Sequence, residues 1–203
     1  MTNHLSAASL QGPSRREMLL DAAERLLIAE GFGAATTRRV AEEAGLNHGL
    51  IHYYFGSMEE LFVRVLERFT SSLIERQREM YAQDVPFLEK WRTAMRYLDE
   101  DADSGYQKLW LELQAMAWNN PDLRERIAEV NRAWRQVLTD AFEAASREFG
   151  LERSDFPVPA LVSLVMTFNQ GLILERLSGV TEGHSSLIES IDGWLSSLQG
   201  GAR

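Results

Sequence analysis

The stretch that most constrains this chain is residues 36 to 61, TTRRVAEEAGLNHGLIHYYFGSMEEL. Its two threonines are suited to begin a short helix, and Gly45 is suited to end that helix in a left-handed conformation. Asn47 is suited to begin a second short helix, which Gly56 ends, and a serine–glutamate capping box then predicts the start of a long helix. The pattern therefore predicts two short helices around a tight turn, which is a helix-turn-helix.

The second short helix separates its side chains into two faces. Its aliphatic residues and Phe55 can pack inward, whereas His48, His52 and Tyr53 stay outside. A helix of this length fits a DNA major groove, and exposed aromatic side chains with polar tips suit phosphates and base edges. We therefore expect the outer face of this helix to contact DNA.

This region resembles the TetR family of bacterial transcriptional regulators. The resemblance rests on Thr36-Thr37, Arg38, Val40-Ala41, Ala44-Gly45-Leu46, Gly49, Ile51, Tyr54-Phe55 and Glu60-Leu61, and it extends upstream to Arg15. It implies a DNA-binding repressor that pairs its last two long helices with a second copy and releases its operator when an inducer enters the C-terminal domain. The residues predicted to contact DNA are Arg15, Thr37, Arg38, Arg39, Asn47, His48, Gly49, His52, Tyr53 and Tyr54.

Two positions depart from the family pattern. His52 stands where the family usually has a tyrosine, and Met58 stands where it usually has a lysine that contacts a phosphate. Methionine cannot supply that charge, so either the backbone N–H groups at this helix start carry the contact or DNA affinity is reduced. His48 and His52 can compensate if they gain protons beside phosphate, which predicts DNA binding that weakens as the pH rises.

Charge gives DNA binding no general support. The chain has a formal net charge of −9, and between Pro13 and Phe69 seven arginines face nine acidic residues. Binding must therefore depend on where the charges lie, so we expect Arg15, Arg16, Arg38 and Arg39 near phosphates and the acids turned away.

Other classes of function find little in the sequence. Cysteine is absent, and a pair such as His48 and His52 lacks further metal ligands, so we expect no metal site and no cofactor. No nucleophile motif or phosphate-binding glycine loop is present, so we expect no enzyme. The first twelve residues do not have the layout of a signal peptide, and the apolar stretches are interrupted, which predicts a cytoplasmic protein with no membrane span.

The C-terminal part contains all five tryptophans, and its helical stretches are strongly apolar. Clusters of aromatic and methionine residues among helices are most often plain core, but polar residues inside such stretches need partners, and a ligand is one candidate. We predict a pocket for a small, mostly apolar inducer, lined by Trp110, Gln114, Trp118, Trp134, Phe168 and Asn169.

The predicted fold is all-α with about nine helices. A helix-turn-helix DNA-binding domain covers residues 13–73, and a helical ligand-binding and dimerisation domain covers residues 74–203. The predicted function is a ligand-released transcriptional repressor that binds an operator as a homodimer. The alternative is a helical protein-interaction module or ligand sensor with a weakened DNA-binding domain, which the missing lysine and the acidic balance favour.

Overall fold

The computed structural model describes residues 13–102, 104–150 and 156–201, apart from the side chain of Phe32. Within these ranges the chain forms nine α helices and no strand, which confirms the all-α prediction. The helices are α1 (Arg15–Glu30), α2 (Thr37–Ala44), α3 (Gly49–Phe55), α4 (Met58–Ala82), α5 (Phe87–Ala102), α6 (Tyr106–Ala117), α7 (Pro121–Glu148), α8 (Val158–Leu177) and α9 (His184–Gly201). Residues 1–12, which the sequence predicts to be an N-terminal arm, lie outside the described ranges.

The chain divides into two compact units, Met1–Glu67 and Arg68–Arg203. We call the first the head and the second the body. The division falls inside α4, so one continuous helix contributes its first ten residues to the head and its remainder to the body. The expected boundary, between residues 73 and 74, lies in the same helix.

The helix ends of the head follow local capping chemistry. Ser14 and Glu17 form a reciprocal capping box at the start of α1, in which the Ser14 N–H donates to the Glu17 carboxylate at 2.7 Å. The hydroxyl of Thr36 accepts from the N–H of Arg39 and so caps α2. Because these bonds satisfy backbone groups that a helix leaves unpaired, they define where α1 and α2 begin.

The turn between α2 and α3 depends on Gly45. Its φ of 66° is left-handed, and its N–H donates to the carbonyl of Glu42 while the next N–H, of Leu46, donates to Ala41 at 2.9 Å. These two bonds form a Schellman motif, which reverses the chain direction at a helix end. The turn brings α3 against α2, and Ile51 of α3 is fully buried.

In the body, α5, α7, α8 and α9 share one apolar core. The core contains Phe87, Leu88, Trp91, Leu138, Phe142, Ala145, Val162 and Leu195. Helix α7 packs on both α6 and α8, and α5 packs on α9. The start of α5 is capped from a distant part of the chain, because the N–H of Phe87 donates to the carboxylate of Glu148 at 3.0 and 3.1 Å.

The last helix begins earlier than the sequence pattern predicts. A capping box of Ser186 and Glu189 predicts a start near Ser186, but α9 begins at His184. Gly183 has a φ of 84° and its carbonyl already accepts from Leu187 at 2.9 Å. The turn at Gly183 therefore starts the helix two residues before Ser186, so the start that the capping box predicts was wrong.

Helix α8 is unusually apolar for its burial. Only Val162 and Leu172 of its residues are buried, while Leu164, Leu174 and Leu177 are exposed. Its length of 20 residues and mean hydropathy of 1.4 would suffice for a membrane span. The sequence pattern predicts no span because polar residues interrupt the apolar run. A mean hydropathy, in contrast, averages over those residues. One such helix is weak evidence for a membrane, and exposed apolar area equally marks a protein interface.

The left-handed turn predicts a stability difference between two substitutions at one site. Replacing Gly45 with alanine should lower the free energy of unfolding of the head by ~1–2 kcal/mol, because a Cβ is disfavoured at positive φ. Asparagine tolerates this conformation better, so Gly45→Asn should cost less. Chemical denaturation followed by circular dichroism measures both, and equal losses would contradict the role assigned to φ, since a Cβ at Gly45 meets no atom within 4 Å.

Candidate DNA-binding surface and ligand cavity

The outer face of α3 carries the side chains predicted to read DNA. Ile51 and Phe55 are buried beneath the helix, whereas His48, His52 and Tyr53 are exposed. Tyr53 exposes 79% of its maximal accessible surface. This division arises from helical periodicity, because inward residues four apart leave the intervening positions outside.

Tyr54 has a different environment from its neighbours. It is half-buried, and its ring meets the Tyr53 ring edge-on, with centroids 5.0 Å apart. Its other neighbour is the Phe55 ring, at 6.5 Å. The guanidinium of Arg16 lies over the face of Phe55, 5.2 Å from the centroid. Among the aromatic residues of α3, Phe55 is buried and Tyr54 is half-buried, so both pack against the protein. Tyr53 is the exposed one.

The orientation of His52 limits what it can offer to DNA. Its Nδ1 lies 3.0 Å from the carbonyl oxygen of Gly56, which can only accept, so Nδ1 carries the hydrogen. Nε2 is then an acceptor in the neutral ring and a donor only in the imidazolium. A phosphate oxygen accepts hydrogen bonds, so contact between Nε2 and a phosphate requires the protonated ring.

Two of the four arginines predicted to lie near phosphates, Arg38 and Arg39, are already paired with glutamates. Arg38 Nε donates to Glu42 at 2.7 Å, and the two terminal nitrogens of Arg39 donate to the Glu30 carboxylate at 2.5 Å. The hydrogen bond from Arg39 lowers the pKa of Glu30, and the corresponding bonds raise the pKa of both arginines. The expectation that the acids face away was wrong for Glu42 and Glu30. Glu42 can reach Arg38 because it follows that arginine by one helical turn.

The remaining predicted DNA contacts lie at helix starts. Arg15 is exposed at the start of α1, and Thr37 is half-buried at the start of α2. The side-chain oxygen of Asn47 accepts from the N–H of Gly49 at 2.8 Å. Asn47 therefore caps the start of α3, although His48 is the residue directly before the helix. A Cβ at Gly49 would lie 3.2 Å from that oxygen, so glycine suits this turn.

A cavity of about 150 Å³ lies within the body. Its walls come from α4 to α8, and aromatic side chains dominate them, including Tyr81, Trp91, Tyr106, Trp110 and Trp134. Burial raises the pKa of Tyr81 to about 12, which keeps its hydroxyl neutral at physiological pH. Mainly apolar walls with a few polar groups are the usual features of a small-molecule site.

The predicted ligand residues divide into two groups. Trp110, Trp134 and Asn169 line the cavity, whereas Gln114, Trp118 and Phe168 are not among its described lining residues. Trp118 is 78% exposed at the residue that directly follows α6. Those three residues therefore have no place in this cavity.

Several wall residues were missed by the sequence reasoning. Leu73, Gln77 and Tyr81 lie four residues apart on α4 and form one stripe of the wall. A glutamine inside an otherwise apolar stripe was a usable signal, because a polar group facing the interior needs a partner. Asp101 and Tyr106 also line the cavity from the end of α5 and the start of α6.

Comparison with protein families decides the identity. Residues 19–65 match the bacterial regulatory proteins of the tetR family, and residues 92–198, more than half of the chain, match the C-terminal domain of BetI-type transcriptional repressors. The chain belongs to the TetR family. It is therefore a DNA-binding transcriptional regulator, as the resemblance of the helix-turn-helix implied.

Relatives and solved structures agree with this assignment. The transcriptional repressor AcnR of Corynebacterium glutamicum is 25% identical over 92% of this chain and 95% of its own. The FadR regulator of Bacillus subtilis bound to stearoyl-CoA superposes with a TM-score of 0.70 at 18% identity, covering 88% and 96% of the two chains. A structure from Saccharomonospora viridis, described as a transcriptional regulator in complex with choline, gives a TM-score of 0.69 at 19% identity, covering 90% and 93%.

Exposure on α3 predicts separable effects on DNA binding and stability. His48→Ala and Tyr53→Ala should each weaken operator binding while changing the free energy of unfolding by no more than ~0.5 kcal/mol, because both side chains are exposed. Tyr54→Phe tests the half-buried neighbour without removing its ring. Mobility shifts and thermal unfolding measure the two properties, and a large stability loss at His48 or Tyr53 would show that these side chains pack rather than bind DNA.

The His52 geometry predicts a pH dependence of DNA affinity. Affinity should fall from mildly acidic to mildly alkaline pH, because only the imidazolium can donate from Nε2 while Nδ1 is bound to Gly56. In His52→Gln the fall should be smaller, leaving the part that depends on His48. Fluorescence anisotropy with labelled operator at constant ionic strength measures the profile, and a flat profile for the unmodified protein would rule out the contact.

Proposed function

We propose that this protein is a cytoplasmic repressor that binds its operator as a homodimer and leaves it when a small, mostly apolar molecule enters the body. The observation that carries the proposal is the coexistence of an exposed polar and aromatic face on α3 with a mainly apolar cavity in the body. Each feature alone suits several functions, but a regulator that senses a ligand needs both.

Operator binding depends on local exchange of ion pairs. Arg38 and Arg39 can reach a phosphate only by giving up or sharing Glu42 and Glu30. Such exposed pairs contribute little to stability, so exchange for a phosphate costs little. The acidic balance of the head should therefore limit the number of phosphate contacts and make DNA affinity only moderately sensitive to salt.

Dimerisation accounts for the apolar surface of the last two helices. Leu164, Leu174 and Leu177 on α8 and Leu187 and Trp194 on α9 are exposed. An apolar surface of this kind is usually covered by a partner, and a two-fold axis lets the same surface serve both copies. Two heads related by such an axis can meet two half-sites on DNA.

Coupling between ligand and DNA is supported by α4. Leu73, Gln77 and Tyr81 of α4 line the cavity, and the same helix begins directly after α3 in the head. A ligand that contacts these residues therefore contacts the helix that follows the DNA-reading helix. The ligand binds more tightly to one arrangement of α4, and DNA binds more tightly to the other. This difference in affinity is the thermodynamic condition for release of DNA by the ligand.

The fold does not define the ligand. The structures of similar fold bound to stearoyl-CoA and to choline hold molecules of very different size and charge. The side chains in the walls of this cavity must therefore indicate which ligand it binds. The alternative function, a protein-interaction module or ligand sensor with a weakened head, is favoured by Met58 and by the paired arginines, and it predicts no operator binding.

One substitution on α9 tests operator binding and dimerisation together. Trp194→Glu should convert the dimer to monomers and weaken operator binding at least ~10-fold, because a buried carboxylate without a partner is costly and a single head meets one half-site. Trp118→Glu makes the same change at an exposed tryptophan of the body outside α8 and α9 and should leave both properties unchanged. Sedimentation velocity and mobility shifts with DNA flanking the gene measure them.

Two results would contradict this proposal. A monomeric unmodified protein would remove the dimer, and failure to shift its flanking DNA would favour the interaction module.

A further inference from the structure

The aromatic walls of the cavity suit two different kinds of ligand. Tyrosine and tryptophan faces bind apolar molecules, but they also attract ammonium groups through cation–π contacts. The charged and polar groups around the cavity must therefore decide between them. The question concerns the ligand of the proposed repressor, so the inference below rests on the proposed function.

Asp101 is the one carboxylate among the described lining residues, and it already has a cation. The guanidinium of Arg76 on α4 donates to the Asp101 carboxylate, and both side chains are partly buried. The same guanidinium lies 4.1 Å from the centroid of the Tyr97 ring. Arg76 thus occupies the positions at which an ammonium would find a negative charge and the Tyr97 face.

No other lining residue among those described would balance a charged ligand. The lining includes no lysine, arginine or histidine, so a carboxylate or phosphate finds no counter-ion in the walls. Burial raises the pKa of Asp101 even though the hydrogen bond from Arg76 lowers it, so the site is a poor place for further isolated charge. An ion placed there would lose its hydration without a new partner.

One polar group in the wall lacks a partner. The side-chain oxygen of Asn169 is buried and accepts no hydrogen bond from the described part of the chain. By contrast, the Tyr106 hydroxyl lies 3.1 Å from Thr70 Oγ1 and also bonds to Trp134, so the polar tips of those rings are occupied. A buried acceptor without a donor is costly, and a ligand hydroxyl or N–H would remove that cost.

We infer that the cavity takes an uncharged, largely apolar molecule with one hydroxyl or N–H group that donates to Asn169, and that it rejects ammonium and carboxylate ligands. The Arg76–Asp101 pair supplies the rejection, and Asn169 supplies the orientation. The volume of about 150 Å³ limits the probes to molecules of about one ring in size.

Three small probes test the inference directly, and the first two have matched shapes. Choline and 3,3-dimethylbutan-1-ol have the same skeleton and hydroxyl group. Choline has a positively charged quaternary nitrogen where the alcohol has a neutral quaternary carbon. The methyl ether of the alcohol keeps the neutral skeleton and removes the donor. Calorimetry and tryptophan fluorescence on the full chain without DNA should rank the alcohol first, the ether about fivefold weaker and choline weakest.

Variants assign the ranking to the two residues. Arg76→Gln should strengthen choline binding about tenfold or more by leaving Asp101 without its cation. Arg76→Lys keeps the charge and should leave choline weak, and Arg132→Gln removes the exposed pair with Glu125 as a matched control. Asn169→Leu should abolish the preference for the alcohol over the ether, with thermal unfolding confirming that each variant folds.

Several results would overturn the inference. The inference fails if choline binds the unmodified protein as tightly as the alcohol does. It also fails if the alcohol and the ether bind equally, or if the alcohol does not bind. An unchanged choline affinity in Arg76→Gln would remove the role of the ion pair. Because these measurements use protein without DNA, they are distinct from failure of the proposed function, which appears as absence of operator binding.

Discussion

The burial of Ile51 and Phe55 beneath α3 is the contact on which the DNA-binding surface depends. A helix of seven residues is too short to be stable alone in water, so its position must come from tertiary packing. Those two side chains fasten it to the head, and the Schellman turn at Gly45 sets the angle at which it arrives. The histidines and Tyr53 are presented outward because the inward positions are already taken.

A second constraint acts on the body. Helix α8 carries more apolar surface than the body buries, since Leu164, Leu174 and Leu177 remain exposed. A regulator that reads two half-sites needs a symmetric partner, and the surface that would be a liability in a monomer is what a partner would cover. The same helix contributes Asn169 to the cavity, so a partner on one side of α8 and a ligand on the other would both act on it.

Local chemistry explains which features were readable from the sequence. The cap at Ser14, the left-handed Gly45 and the cap at Asn120 were predictable because each depends on residues within a few positions of itself. The pairing of Arg38 with Glu42 follows helical spacing and could have been anticipated, whereas Arg39 and Glu30 meet across two helices. Contacts of that second kind require the tertiary arrangement.

The cavity shows the same distinction. Trp110 and Trp134 were found because large aromatic residues in an apolar helix stand out, but Trp118 was assigned to the cavity although it follows the last residue of α6. The wall contributed by α4 and α5 was missed, since an amphipathic pattern does not distinguish a cavity wall from a closed core. Arg76 and Asp101 are 25 residues apart in sequence, so only the folded structure shows that the cavity's acid is neutralised.

We propose that the outer face of α3 reads DNA twice, once from each subunit. Methylation protection of guanine N7, which lies in the major groove, tests it most directly on DNA that flanks the gene. We expect two protected clusters whose centres lie one DNA turn, about 10 base pairs, or a multiple of it apart, and we expect His48→Ala to lose both. A single protected cluster, or protection that His48→Ala leaves unchanged, would contradict it.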